Sequence, residues 1–159
     1  MNSKHLARWL KTILIGVGVC GLIVYSFILP AYGLAMRGLY PEFSNRFWPW
    51  LLFLWATAVP CLAALVCAWK IAANIGADRA FVAQNAMYLK TIATLAVGDA
   101  AFFFAGNLAL LLLNMSHPSV TLASLLVEFV GVAVAVAAAA LSCLVQKAAA
   151  LQEQSDLTI

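Results

Sequence analysis

The sequence predicts an all-α integral membrane protein, a four-helix transmembrane bundle, from three observations. Of its 159 residues, 65% are hydrophobic and only 9% are charged, whereas a soluble domain carries about 25% charged residues. Four apolar runs are each long enough for the roughly 20 residues that a transmembrane helix needs. No run alternates apolar and polar residues with a period of two, which excludes a β-barrel.

The four predicted spans cover about 12–35, 49–69, 91–113 and 121–145. They leave an N-terminal arm, two loops on one side of the membrane, a loop of residues 70–90 on the other side and a tail of residues 146–159. We therefore expect one membrane domain over 1–159. The motif YGLA at 32–35 is similar to a signal-peptide cleavage site, but the apolar run before it is longer than a usual signal segment, so we expect it to stay as a span.

The basic residues predict the orientation, because loops on the cytoplasmic side carry an excess of Lys and Arg. Only Arg37 and Arg46 lie in the first outer loop, and the second outer loop has no Lys or Arg. Both termini and the 70–90 loop should therefore be cytoplasmic. The basic residues on that side are Lys4, Arg8, Lys11, Lys70, Arg79, Lys90 and Lys147.

Residues that could carry catalytic chemistry are few and scattered. His5 and His117 fall on opposite sides of the predicted membrane, so they cannot share a metal ion. The four cysteines lie in or beside the spans without a C-x-x-C pair, as small apolar fillers do. With no phosphate-binding loop or nucleophile–base pattern, we expect no enzyme activity, no catalytic residue, no metal, no cofactor and no direct binding of nucleic acid.

Three polar residues inside the predicted spans are Asp99, Asn107 and Glu128. A carboxylate costs roughly 2.5–3.5 kcal/mol at the centre of a membrane helix, so both acids should face other helices. Antiparallel pairing of the last two spans predicts similar depths for Asn107 and Glu128, and hence a hydrogen bond between them. Asp99 should lie deeper, near Pro60. These residues either join the helices or form the site of a proton-coupled transporter.

The loop of residues 70–90 predicts a short amphipathic helix on the inner membrane surface, leading into the third span. Phe81, Asn85 and Leu89 fall on one face at helical spacing. Gly76 is placed to end the preceding helix, and Asp78 is placed to cap the next one.

The segment from Phe81 to Ala93 resembles the F-x-x-x-N-A-x-x-L-K-x-I-A motif of a bacterial membrane family, the domain of unknown function 2975. The matching residues are Phe81, Asn85, Ala86, Leu89, Lys90, Ile92 and Ala93. The chain's last nine residues are similar to that family's L-x-E-E-N-D-L-T-I ending, through Leu151, Glu153, Asp156, Leu157, Thr158 and Ile159. Ala80 stands where the family has Pro, Gln84 replaces a Glu, and Gln154 and Ser155 replace a Glu-Asn pair.

This resemblance implies four spans but no known activity, and it implies neighbouring genes for small helix-turn-helix regulators. We therefore expect a regulatory membrane protein whose 70–90 loop and tail dock such a DNA-binding protein. Two alternatives stay open: a small transporter using Asp99 and Glu128, and a structural subunit of a membrane complex. The tail itself could dock a partner, pack Leu157 and Ile159 on Phe81 or Leu89, or be disordered. A homo-oligomer is compatible with the sequence.

Overall fold

The structure is a computed structural model that describes residues 2–39, 45–116 and 118–156, with the backbone alone at 118, 119 and 156. Its helices are α1 (Ser3–Ile23), α2 (Leu29–Leu39), α3 (Phe47–Gly76), α4 (Ala83–Leu112) and α5 (Pro118–Asp156). A π-helical turn, Val24–Ile28, joins α1 to α2 in one continuous rod. The prediction of four helices long and apolar enough to cross a membrane is confirmed.

The helices pack antiparallel in a row that follows the order of the chain. Within the described residues, α1 and α2 pack on α3, α3 packs on α4, and α4 packs on α5. Since α5 packs side by side with α4 alone, the row has two open edges rather than one closed core. Many large apolar side chains stay exposed on these outer surfaces, as expected for helices whose surroundings are lipid.

Small residues set the spacing of neighbouring helices. A Cβ added at Gly76 would lie 3.0 Å from the Ala7 Cβ, so the end of α3 sits directly on the start of α1. A Cβ at Gly106 on α4 would overlap the ring of Phe53 on α3. Without side chains at these glycines, the helix backbones approach closely enough to pack.

The antiparallel row brings all seven expected inner-side basic residues to one end, which we call the basic end. This end holds the start of α1, the loop 77–82 and the last turns of α5. Lys11 lies over the Trp69 ring at 5.3 Å, and Lys70 lies over the Tyr88 ring at 5.4 Å. Trp and Tyr are enriched at membrane–water interfaces, and each of these two pairs joins neighbouring helices of the row.

Two sequence predictions for the basic end were wrong in detail. The expected surface helix does not exist as a separate element, because residues 83–90 are the first turns of α4 and continue straight into the span. Asp78 does not cap that helix. It adopts a left-handed conformation with φ 57° in the turn after α3, while Val82, in an extended conformation, precedes α4.

Candidate functional site

The loop 77–82 at the basic end is held in one shape by Asn85. This side chain is only 1% exposed. Its Nδ2 donates to the carbonyl oxygens of Arg79 at 3.0 Å and Ala80 at 2.9 Å, and its Oδ1 accepts from Asn74 Nδ2 at 2.7 Å. A buried amide with all these bonds satisfied fixes its surroundings. Asn85 therefore connects α3, the loop and α4, which makes its role structural rather than that of a contact for a partner.

The other residues of the 81–93 segment divide into buried and exposed groups. Ala86 and Ala93 are buried, and the Ser142 hydroxyl of α5 donates to the Ala86 carbonyl at 2.7 Å. Leu89 is half-buried, whereas Lys90 is exposed. Phe81 is 56% exposed although it is a large aromatic residue in a loop. Of the residues expected to dock a partner in this segment, Phe81 and Lys90 present free surface.

α5 is longer than a membrane crossing requires. Its 39 residues correspond to about 58 Å at 1.5 Å per residue, against a hydrocarbon layer of about 30 Å. Ser142 lies level with Ala86 in the first turn of α4, so the later turns of α5 reach past the start of α4. Ala149 in this extension is nevertheless buried, which places the extension against the rest of the basic end.

The start of α1, the loop and the α5 extension surround a groove of about 380 Å³. We call it the basic-end groove. Its walls combine apolar side chains with one acidic and one basic residue, and Phe81 forms part of the rim. The lining residues are Ser3, Leu6, Ile75, Asp78, Arg79, Ala80, Phe81, Val82 and Gln152. Three segments far apart in the sequence thus build one concave surface, the usual form of a binding site.

The tail is helical as far as Asp156, the last residue of α5. Leu151 is 67% exposed and Glu153 is also exposed, so both present free surface beside the groove. Leu157, Thr158 and Ile159, which the sequence nominated for docking, lie outside the described residues. Of the described tail residues, Gln152 lines the groove.

A second polar cluster lies in the middle of the helices. The Cys61 thiol on α3 donates to Asp99 Oδ2 on α4 at 3.6 Å, and Asp99 Oδ1 is buried without a hydrogen bond in the described part of the chain. One turn earlier on α3, the Thr57 hydroxyl lies 2.9 Å from the Tyr25 hydroxyl. Thr57 already donates to the Leu54 carbonyl, so Tyr25 is the donor in that pair. The cluster joins the π-helical turn after α1 to α3 and α4.

The π-helical turn that joins α1 to α2 is bonded to α3 beside this cluster. Tyr25 lies in the turn Val24–Ile28, and its carbonyl accepts a hydrogen bond from Trp55 Nε1 at 3.0 Å. A π-helical turn changes the pairing of backbone carbonyls, and such turns are frequent at functional sites. Here a tryptophan of α3 satisfies the carbonyl inside the apolar layer, where an unpaired carbonyl is costly.

The predicted hydrogen bond between Asn107 and Glu128 is absent. The Asn107 amide donates to the Phe103 carbonyl of its own helix at 2.9 Å, and Glu128 Oε1 is buried without a partner among the described residues. The reason is register: Gly131 lies opposite Ala100, so Glu128 lies level with residues near 103, a turn short of Asn107. Asp99 does lie near Pro60, through its neighbour Cys61. The two acids occupy different interfaces, α3–α4 for Asp99 and α4–α5 for Glu128.

Several residues of these sites had no signal in the sequence. Asn74 and Ser142 matter because the fold places them against Asn85 and Ala86. Tyr25 and Thr57 lie in apolar spans, and nothing in the sequence indicates that helix packing brings their hydroxyls together. The four cysteines are unpaired thiols, and the described residues hold no cluster of three or more His, Cys, Asp or Glu side chains that could bind a metal.

The fold and the two polar sites define a polytopic α-helical membrane protein with a partly polar groove at one end of the helix row. The chain belongs to the family described as protein of unknown function (DUF2975), whose model matches residues 31–159. It is similar to the uncharacterized membrane protein YoaS of Bacillus subtilis (strain 168), with 28% identity over 153 residues, 95% of this chain and 96% of that protein. No solved structure matches it.

Proposed function

We propose that this chain is a non-enzymatic regulatory protein of the bacterial cytoplasmic membrane, and that its basic-end groove docks a small helix-turn-helix regulator. The observation that carries the proposal is the groove itself: the start of α1, the loop and the α5 extension meet around it, with Phe81 on the rim. The membrane location is supported by the four long apolar helices and by the membrane protein of Bacillus subtilis that the chain is similar to.

The orientation follows from the seven basic residues at the groove end, against Arg37 and Arg46 at the other end. By the positive-inside rule the groove then faces the cytoplasm, where a DNA-binding protein is found. Trp69 and Tyr88, which pair with Lys11 and Lys70, are residue types enriched at membrane interfaces, and this supports a loop that projects toward water.

The groove offers the two kinds of contact that protein recognition uses. Phe81 is an exposed aromatic residue on a loop held rigid by Asn85, and exposed aromatic side chains are enriched among the anchors of interfaces. Asp78 and Arg79 line the groove beside the apolar wall and provide one charge of each sign for polar contacts with a partner.

Cell fractionation tests this proposal with a matched pair of variants. A tagged small helix-turn-helix regulator from the same genome is expressed with the full chain, and its membrane-bound share is measured. Phe81→Ala should reduce that share severalfold. Met87→Ala should leave it unchanged, because Met87 is a similarly exposed apolar residue, at 68%, that does not line the groove. Equal membrane-bound shares in the wild type and the Phe81 variant would contradict the proposal.

A transporter is the second candidate, and the buried, unpaired Oδ1 of Asp99 favours it. Ionisable residues inside membrane spans often mark ion or substrate paths. The separation of Asp99 and Glu128 onto different helix interfaces weighs against one path that uses both acids. Asp99→Asn should abolish proton-coupled transport in vesicles if Asp99 is the coupling residue. Our proposal predicts that vesicles containing the wild-type chain and the variant give the same proton flux.

A further inference from the structure

Three basic residues form a stripe on one side of α1 at the basic end. Lys4, Arg8 and Lys11 are spaced four and three residues apart, which places them within about 60° of one another around the helix. Lys4 and Arg8 are each two residues from Leu6, which lines the basic-end groove together with Gln152 of α5, so each lies about 200° around the helix from Leu6. The stripe therefore lies on the face of the helix row opposite the groove, which we call the back face.

A lysine of α3 extends the stripe across the back face. Lys11 lies over the Trp69 ring at 5.3 Å, and the residue after Trp69, Lys70, lies over the Tyr88 ring of α4 at 5.4 Å. Tyr88 is two residues from Ala86, whose carbonyl accepts a hydrogen bond from α5, so Tyr88 lies about 200° around α4 from that contact. Lys70 is therefore on the side of the row away from α5, as the stripe is.

The positive charge on the back face has no acidic partner in the described part of the chain. We call the set of basic residues the back-face patch: Lys4, Arg8, Lys11 and Lys70. Their side chains form no ion pair or hydrogen bond with the other described residues. Asp78 lines the groove and Glu153 belongs to α5, so these acids lie away from the patch. Four positive charges gathered on one face attract an anion from outside the chain.

Exposed apolar residues continue from the back-face patch toward the middle of the row. Ile15 and Leu22 follow Lys11 by four and eleven residues, which keeps them on the same side of α1, and both are exposed. Val66, four residues before Lys70 on α3, is exposed as well. We call these three residues the apolar strip. It extends about 16 Å along α1 from Lys11. Cations above an apolar surface match a phospholipid, whose phosphate lies at the interface and whose acyl chains lie deeper.

We propose that the back-face patch and the apolar strip bind an anionic phospholipid at the seam between α1 and α3. The phosphodiester of the headgroup accepts hydrogen bonds from the Lys and Arg side chains, and the acyl chains lie along Ile15 and Val66. Basic pockets between transmembrane helices recognise anionic headgroups in this way. A free phosphate ion would contact the cations but not the apolar strip, so the surface fits a lipid. The site is independent of the proposed docking of a regulator, because it lies on the face opposite the groove.

Native mass spectrometry of the purified, delipidated full chain tests this proposal. The chain is mixed with phosphatidylglycerol or with phosphatidylcholine that carries the same acyl chains, and the lipid-bound fractions are compared. The wild type should retain phosphatidylglycerol about tenfold better. Lys4→Gln with Arg8→Gln should bring that ratio to within about twofold of equal retention, and so should Lys11→Gln with Lys70→Gln, because each pair removes half of the patch.

Lys90→Gln with Lys147→Gln is the matched control, since it removes the same charge from the same end. Both residues are exposed. Lys90 is two residues from Tyr88, and Lys147 is two residues from the buried Ala149, so each lies on a side of its helix away from the back-face patch. This pair should keep the preference for phosphatidylglycerol.

Equal retention of the two lipids by the wild type would overturn the inference, and so would a control pair that loses the preference as fully as the patch pairs. Displacement of bound phosphatidylglycerol by an excess of glycerol phosphate would assign the patch to a soluble anion instead. A loss confined to the Lys4 and Arg8 pair would limit the contact to α1 and contradict a site shared with α3. Unfolding temperatures are measured in the same detergent, and a pair that lowers its own is replaced by its single substitutions.

Discussion

Asn74 at the end of α3 and Asn85 at the start of α4 are joined side chain to side chain, with Asn74 Nδ2 2.7 Å from Asn85 Oδ1. This bond joins the two helix ends that flank the loop 77–82. The Asn85 amide also donates to the Arg79 and Ala80 carbonyls of the loop. The pair converts a six-residue connection into a rigid rim for the groove. Asn85, the asparagine of the 81–93 motif, therefore contributes to the groove by fixing the shape of the loop.

Replacing Asn85 by alanine should destabilise the basic end by roughly 1–3 kcal/mol, because the Asn74 amide and two loop carbonyls lose a buried partner. The measurement is thermal unfolding in detergent, together with hydrogen exchange of the loop. Gln84→Ala is the control, since Gln84 is exposed and its side chain donates to the Tyr88 hydroxyl on the same helix. Equal shifts for the two variants would show that Asn85 is not the residue that fixes the loop.

Gly33 and Gly38 on α2 form a matched pair for testing the packing of the first rod on α3. A Cβ at Gly33 would lie 2.6 Å from the Phe47 ring and 2.9 Å from the Trp50 ring, whereas Gly38 has open space. Gly33→Ala should cost about 1–3 kcal/mol through overpacking. Gly38→Ala should be neutral or stabilising by about 0.5–1 kcal/mol, because alanine favours helix. The unfolding midpoints of the two variants are compared with that of the wild type. A Gly38 variant less stable than the Gly33 variant would contradict the packing of α2 on α3.

Ser142→Ala should loosen α5 from α4, since it removes the hydroxyl that donates to the Ala86 carbonyl. Hydrogen bonds between membrane helices contribute about 0.6 kcal/mol on average and up to about 1.7 kcal/mol. Because Ser142 is buried, we expect the upper part of that range. Cys143→Ala serves as control, as Cys143 is exposed on the same turn. An unchanged unfolding midpoint for Ser142→Ala would mean that this bond does not hold the pair together.

Reporter fusions test the orientation that the docking proposal needs. A reporter fused after Glu153 should be cytoplasmic, and one inserted after Gly38 should be on the outer side, because these residues lie at opposite ends of the helix row. The reason is the seven-to-two distribution of basic residues between the two ends. The same sidedness at both positions would rule out the four-span topology, and reversed sidedness would place the groove outside the cell.

Composition and hydropathy were sufficient to predict the helices, because a membrane span needs only length and apolar character. Contacts between helices depend on register, which periodicity does not fix in spans that are apolar all round. Asn107 and Glu128 illustrate this: counting residues from the short turn placed them level, while the packing of Gly131 against Ala100 offsets them by about a turn. Asn74 could not be nominated, since its partner is defined only once α3 and α4 meet.

For the basic-end groove, the sequence indicated the region, but it did not indicate which residues would be buried and which exposed. The 81–93 motif and the tail were singled out as one functional region, and Phe81 and Gln152 do line one groove. The sequence could not separate the motif residues that build the loop, such as Asn85 and Ala86, from those that present surface, such as Phe81. That separation depends on burial, which α3 and the loop provide for Asn85 and which α5 contributes to for Ala86.

Photo-crosslinking in living cells tests the central claim most directly. A photoreactive amino acid replaces Phe81 in the groove or, as control, Met87 outside it. We predict a covalent adduct with a helix-turn-helix protein from position 81 and none from position 87. Adducts from position 81 that contain only lipid or this chain itself would contradict the account.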